Sequence, residues 1–312
     1  MDKTEKAAES TKPGQTEVRS SEQRTLTLQQ ALDLAVQHHT AGDLSKAEDI
    51  YQQILQTEPN QPDALHLLGV LSHQMGNNDI AIDHITKALT IRPDFAEAHS
   101  NLGAALKELG RLQEAVESCH KAINIKPDYA EAHNNLGNAL QELGKLEEAV
   151  ECYHKALDIK FDDAEMNYNL GNALRELGQL DEAVTSYQKA IAIKSNYAEA
   201  QYNLGVVLKE LGRQEEAVVL YRKALTVEPN FAEAHNNLGT ILQELGQFDE
   251  AVTSYRQALD IRPSYAEAHN NLGNVLQELG KLEEAAESEA ALALTLRLGR
   301  AIDESAENEQ AA

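Results

Sequence analysis

Tryptophan is absent from this 312-residue chain, and aromatic residues of all kinds make up only 4% of it. Whatever core exists must be built from alanine, leucine and other aliphatic side chains, which suits helices packed close together. Cysteine is almost as scarce. Cys119 and Cys152 are the two present, so no disulfide framework is available and nothing points to an oxidising compartment. Long apolar runs are missing too, and with them any candidate membrane span. The first ten residues lack the apolar stretch of a secretory signal, so a reducing, cytoplasmic setting is the expectation. Basic residues are outnumbered, 27 against 51 acidic ones, for a net charge of −24. Such a polyanion repels phosphate backbones and anionic lipid, which argues against nucleic acid and bare membrane as partners. Also missing are a glycine-rich phosphate loop, a nucleophile elbow and a convergent carboxylate pair. No catalytic residue, metal site or cofactor is therefore expected, and the chain does not read as an enzyme.

What the chain does have is self-similarity. Ala-Glu-Ala-His-Asn-Asn-Leu-Gly begins at Ala130 and recurs at Ala232 and Ala266, with near relatives starting at Ala96, Ala164 and Ala198. Successive starts are 34 residues apart, and the same frame continues backwards to Pro62 and Leu28. Eight units result, from Leu28 to about residue 295, the second half of the eighth being degraded. In the unit from Ala130, Leu136, Ala139, Leu140 and Leu143 fall on one stripe of a first helix. Gly144 ends that helix, and Leu146, Ala149, Val150, Tyr153, Ala156 and Leu157 make the stripe of a second. Helix starts are predicted from pairs such as Asp94 with Glu97, Asp128 with Glu131 and Asn230 with Glu233, which have the spacing of a capping box. Residues 1–27 are polar, lack periodicity and contain Pro13-Gly14, so they read as a disordered tail. Residues 296–312 form an acidic C-terminal tail. The divergent stretch after Ala285 is either a capping helix or an altered end of a longer chain.

The unit resembles the tetratricopeptide repeat, with Leu102-Gly103, Ala115 and Pro127 in one copy and Leu238-Gly239, Ala251, Tyr255 and Pro263 in another. Cys119 and Ile85 replace the usual aromatic, and Phe161 and Ser195 the closing proline. The resemblance implies an all-α, right-handed superhelical solenoid whose first helices line a concave face. Physically, one helix pair cannot bury both its faces, so each unit must stack on the next. Gly137 and Ala149 are expected to leave room for Tyr153.

The most conspicuous polar feature is a column of asparagines at the sixth position: Asn101, Asn135, Asn169, Asn203, Asn237 and Asn271. Asparagine is a poor interior helix residue, so its recurrence at one phase calls for a cause in structure or ligand. The repeats are similar to the superhelix of O-linked N-acetylglucosamine transferase-like proteins, where asparagines at this place form a ladder that holds peptide. A primary amide can donate to a peptide carbonyl and accept from a peptide N–H. The alternative use is bonding within or between repeats. A second, partial column is Asn138, Asn172 and Asn274, and three residues further on Lys107, Arg175 and Lys209 are expected nearer the groove edge. The glutamates that follow them (Glu108, Glu142 and their equivalents) read as solvated surface. The family's chaperone-tail clamp needs lysines at the second and fifth positions, and these are missing. The histidines at 99, 133, 235 and 269 are one per repeat, too far apart for one metal.

The resulting expectation is a non-catalytic scaffold that binds an extended peptide or flexible protein segment, with self-association as an additional possibility. The rival is a targeting arm of a glycosyltransferase, since the second unit (Pro-Asp-Ala-Leu-His-Leu-Leu-Gly) is similar to such arms.

Overall fold

A computed structural model describes residues 18–19, 25–288 and 290–293. Its helices come in pairs, one pair per 34-residue unit. They are α1 (Leu28–Thr40) with α2 (Leu44–Thr57), α3 (Pro62–Gln74) with α4 (Asn78–Ile91), and α5 (Ala96–Glu108) with α6 (Leu112–Ile125). Next come α7 (Ala130–Glu142) with α8 (Leu146–Ile159), α9 (Ala164–Glu176) with α10 (Leu180–Ile193), and α11 (Ala198–Glu210) with α12 (Gln214–Val227). The last are α13 (Ala232–Glu244) with α14 (Phe248–Ile261) and α15 (Ala266–Glu278), which is followed by a helical stretch at 282–288. The chain divides at Ile159/Lys160 into two compact units, the first holding α1–α8 and the second α9–α15. Inside each, a second helix packs against its own first helix and against the first helix of the next repeat.

Part of the segment expected to be a disordered tail forms a short antiparallel ladder. In it β1 (Val18–Arg19) pairs with β2 (Thr25–Leu26), Val18 opposite Leu26. The rest of that segment and the acidic end from 296 onward lie outside the described residues, as does Glu289.

The glycine expected to end each first helix does so. Gly144 has φ +74°, its N–H donates to Gln141 O at 2.9 Å, and Lys145 N–H donates to Leu140 O at 2.9 Å. These two bonds close the helix in the left-handed glycine motif and turn the chain into the next helix. The helix starts differ from expectation. The residue before the first helical alanine is an aromatic, such as Phe95, Tyr129 or Phe231, with no side-chain cap. Asp94 and its equivalents stand one residue too early to accept from the orphan amides. Glu97 instead reaches Lys126 at 3.4 Å across its own repeat, and Glu233 pairs with Arg262 in the same way. Among the described residues three starts are side-chain-capped: Asp163 accepts from the N–H groups of Glu165 and Met166, Thr27 forms a capping box with Gln30, and Gln61 accepts from the Ala64 N–H.

The core follows one rule. Ala149, Tyr153 and Ala156 on α8 have no exposure, and neither do their counterparts Ala183, Tyr187 and Ala190 on α10. The tyrosine ring lies flat against a glycine of the first helix. A Cβ built on Gly137 would stand 2.7 Å from Tyr153, and one on Gly171 2.7 Å from Tyr187. In the repeat from Ala96 a Cβ on Gly103 would meet Cys119 Sγ at 2.5 Å, so that thiol fills the aromatic's place. Burial pushes Cys119 up to about 12 and Cys152 up to about 11, so both are packed thiols and not nucleophiles.

Gly171→Ala should therefore force the Tyr187 ring out of its seat and cost about 1–3 kcal/mol. Stability in repeat arrays is local, so amide exchange should quicken in α9 and α10 and stay unchanged in α3 and α4. Urea unfolding with site-resolved exchange measures both, and uniform loosening would contradict it.

Candidate peptide-binding face

Inside each unit the asparagine column lies along neighbouring first helices, half-buried, and the amide nitrogens of Asn101, Asn135, Asn203, Asn237 and Asn271 are engaged. Asn135 Nδ2 donates to Ser100 Oγ at 3.0 Å, and Asn237 Nδ2 to the Tyr202 hydroxyl at 2.9 Å. Asn271 Nδ2 donates to Asn236 Oδ1 at 3.1 Å, and Asn101 Nδ2 to His66 Nε2 at 2.8 Å. Each bond runs back 35 residues, from the sixth position of one repeat to the fifth position of the repeat before. Asn203 follows the pattern with Tyr168 at 3.1 Å and adds a bond to Asn172 Oδ1 at 3.0 Å. Thus, inside each unit, the column ties successive first helices together. A primary amide has two N–H hydrogens and two acceptor lone pairs. One inter-repeat bond uses a single one of these four and fixes the direction of the rest.

The second column serves the core tyrosines. The Tyr153 hydroxyl donates to Asn138 Oδ1 at 2.8 Å, and Tyr187 to Asn172 Oδ1 at 2.8 Å. In the repeat from Ala232 the hydroxyl of Tyr255 turns to Gln243 Oε1 at 3.0 Å. Val206 holds this position in the repeat from Ala198, and there the buried Tyr221 hydroxyl has no partner. Asn274 is exposed. Among the cations, Lys107 lies between Glu108 at 2.7 Å and Glu142 at 3.1 Å, and Lys209 is 3.7 Å from Glu244. Glu108, Glu142 and Glu244 are thus exposed ion-pair partners, a stronger role than bare solvation. Arg175 is half-buried, and no ion pair to it occurs among the described residues.

The fifth position was not singled out by the sequence as a site, yet it forms the other half of this face. Tyr168 stacks on Tyr197 with ring centroids 5.0 Å apart, and Tyr202 on Phe231 at 4.7 Å. The signal that could have found it is the pairing of adjacent columns one repeat plus one residue apart.

The histidines have a structural task. His99 Nε2 donates to Pro93 O at 2.9 Å, His133 Nε2 to Pro127 O at 2.9 Å and His235 Nε2 to Pro229 O at 3.0 Å. Gln201 does the same to Ser195 O at 2.8 Å where the proline is lost, so the turn keeps its tie. Among the described residues no group of three or more His, Cys, Asp or Glu could hold a metal ion. No described helix is long and apolar enough to cross a membrane.

His66 gives this face a pH dependence. Burial lowers its pKa to about 4, against the opposing pull of Asp63 and Glu97, with Arg92 adding to the depression. Its Nε2 must accept from Asn101, so protonation sets two donors against each other. The unfolded chain takes up the proton near the ordinary value of 6.5, so stability is full above that pH and falls between 6.5 and about 4. The full shift corresponds to a loss on the order of 3 kcal/mol. His66→Asn should flatten the dependence of the urea midpoint on pH between 7.5 and 4.5. Equal slopes in the two proteins would rule His66 out.

Comparison with known proteins agrees with this architecture. The family model described as TPR repeat matches residues 72–110, 171–212, 207–246 and 239–280, and one described as tetratricopeptide repeat matches 94–160. No curated protein matches the chain. Among solved structures, YrrB, described as a TPR protein with an unusual peptide-binding site, is 26% identical with a TM-score of 0.51. That match covers 59% of this chain and 95% of YrrB. MamA is 28% identical with a TM-score of 0.50, over 53% of this chain and 97% of its own. The Cut9–Hcn1 hetero-tetramer of APC/C, at 19% identity and a TM-score of 0.61, covers 81% of this chain and 50% of its own and shares the fold. Taken with the helix pairs, the terminating glycines and the glycine–tyrosine seats, these matches establish that the chain belongs to the tetratricopeptide-repeat family.

Proposed function

We propose that this protein is a non-catalytic interaction scaffold that holds an extended peptide segment along its first helices, with the asparagine column as the backbone-reading element. The observation that carries this reading is the repeated 35-residue hydrogen bond. It leaves each amide half-buried and pointing in a fixed direction, and a preorganised amide loses little entropy when it meets a peptide group. The resemblance to O-linked N-acetylglucosamine transferase-like repeats read from the sequence suggests the same use, and the description of YrrB as a TPR protein with a peptide-binding site supports it. A net charge of −24 favours partners that are not themselves strongly acidic overall.

The test is the affinity of one peptide, selected on the wild-type protein, for wild type and for the double variant Asn135→Ala, Asn237→Ala. Each lost neutral hydrogen bond is worth roughly 0.5–1.5 kcal/mol. The pair should then weaken binding roughly five- to a hundredfold, similarly for peptides of differing sequence and with little salt dependence. The same changes remove two inter-repeat bonds, so the midpoint of unfolding should also fall. Binding is measured where both proteins keep full helical circular dichroism. Unchanged affinity there, with the loss confined to stability, would give the column a structural role alone.

A further inference from the structure

The second helices form grooves of their own, and one of them departs from its neighbour. Between α10 and α12 lies a cavity of about 330 Å³, floored by Leu204 and Leu208 of α11 and walled by Ile191, Val219 and Leu220. On α11 the two leucines stand on the opposite side from Asn203, Val206 and Lys209, so the groove is separate from the asparagine column. The same groove one repeat later, between α12 and α14, is floored by Leu238 and Leu242. There Arg222 reaches across to Glu250 at 2.8 Å and straps the opening. The counterparts of that pair are Gln188 and Glu216. Glu216 is held inside its own turn by Arg213, in two bonds of 2.7 Å, and no strap joins it to Gln188 among the described residues. The groove between α10 and α12 is therefore open.

Its wall is also apolar where the other repeats are polar. Val219 is 52% exposed, and every other repeat has aspartate, glutamate or threonine at that place, as in Glu151, Thr185 and Thr253. Leu220 stands where α10 and α14 carry Ser186 and Ser254. The floor leucines are common to both grooves, so the packing of α11 does not require the valine or the added leucine. Apolar area left in water is unfavourable until something covers it. Lys223 lines the same cavity, and no ion pair to it occurs among the described residues.

From this we infer a second interaction surface: the groove between α10 and α12 takes a leucine-, methionine- or phenylalanine-sized side chain from a segment of another protein, with an acidic residue of that segment set against Lys223. The cavity is at the small end of binding pockets, which suits one anchoring side chain and not a large cofactor. The uncompensated ammonium at its rim supplies the charge complementarity that favours an acidic neighbour beside the anchor. A second copy of this chain is the poorer occupant, because two molecules of net charge −24 repel. The inference does not depend on the peptide-binding reading of the first helices. A segment seated here leaves that face free, so one chain holds two partners at once.

The experiment selects random phage-displayed dodecamers on wild type, with counter-selection on the double variant Val219→Thr, Leu220→Ser. That variant gives α12 the residues α14 carries at these places, so the fold is kept, and circular dichroism with the urea midpoint checks it. The surviving peptides should share one large apolar residue with Asp or Glu close beside it. A synthesised one should bind the double variant roughly ten- to a hundredfold more weakly than wild type. Gln188→Arg, which introduces the strap seen one repeat later, should weaken it as well. Lys223→Gln should weaken the acidic peptide roughly two- to fivefold at low salt and leave its amide counterpart unchanged. The double variant Asn135→Ala, Asn237→Ala should bind it as wild type does. If no peptide survives the counter-selection, the groove is not a binding surface. Equal affinity of the acidic and amide forms would remove Lys223 from it. Loss of binding in the asparagine variant would place the peptide on the first helices, overturning this inference and favouring the other reading. Light scattering tests the remaining occupant: self-association of wild type that the Val219→Thr, Leu220→Ser variant lacks would mean that the groove joins copies of this chain, and the partner-segment inference would fail.

Discussion

Each repeat is organised by one close approach, that of a second-helix tyrosine to a first-helix glycine. No side chain fits between them, since even a Cβ on Gly137, Gly171, Gly205 or Gly239 would stand 2.7 Å from the ring. The approach fixes the distance and rotation of the two helices, and so determines which first-helix residues face outward. Positions six, nine and twelve are half-buried in the repeats from Ala96 to Ala232, whereas position five ranges from buried, as Ser100 and Asn236, to half-buried, as Tyr168 and Tyr202. Where the ring is replaced, as by Cys119 or Ile85, the glycine remains and the smaller group still fills the seat. The polar face is thus a consequence of the apolar contact behind it. The hydroxyl of the same tyrosine is the point where the two meet, donating to Asn138 or Asn172 on the far side of the helix.

Much of this was legible in the sequence because a 34-residue period multiplies every local signal. The repeat frame, the terminating glycines and the glycine–tyrosine seats follow from spacing. The cap was misread for a specific reason. Asp94 and Glu97 have capping-box spacing, but the helix begins at Ala96 with Phe95 before it, so the aspartate is displaced by one residue. Glu97 takes Lys126 as its partner, a contact set by the turn between repeats and invisible to a local pattern. Likewise the asparagine column was visible as a column, whereas its partners were not. A bond from position six to position five of the previous repeat depends on how far one first helix is shifted along the next, and no single repeat encodes that shift.

The bonding pattern also explains why two asparagine columns coexist. A buried hydroxyl without a partner costs roughly 1–3 kcal/mol, and Asn138 and Asn172 remove that cost for Tyr153 and Tyr187. Val206 removes nothing, and Tyr221 is left without a partner. The asparagine is therefore not required for packing: Tyr153 and Tyr187 have one at this place, whereas the repeats of Tyr51, Tyr221 and Tyr255 carry Val36, Val206 and Thr240. What an asparagine at this place adds beyond satisfying the tyrosine is the orientation of its own N–H groups.

Orientation is what turns a structural amide into a recognition element. An amide free to rotate offers a donor or an acceptor as the ligand demands, and it must give up that freedom on binding. An amide whose oxygen is doubly occupied offers donors only, and one whose hydrogens are both used offers an acceptor only. Asn172 and Asn203 are such a pair, adjacent and of opposite character, held by the same hydrogen bond at 3.0 Å. What each position of this face can offer is then set by which amides the neighbouring tyrosines have already claimed, and by whether the cation at the twelfth position has a glutamate partner. Near-identical repeats can in this way present different chemistry. Replacing Asn172 by its counterpart Val206 keeps the helix pair packed, yet it changes which hydrogen-bonding groups that position presents.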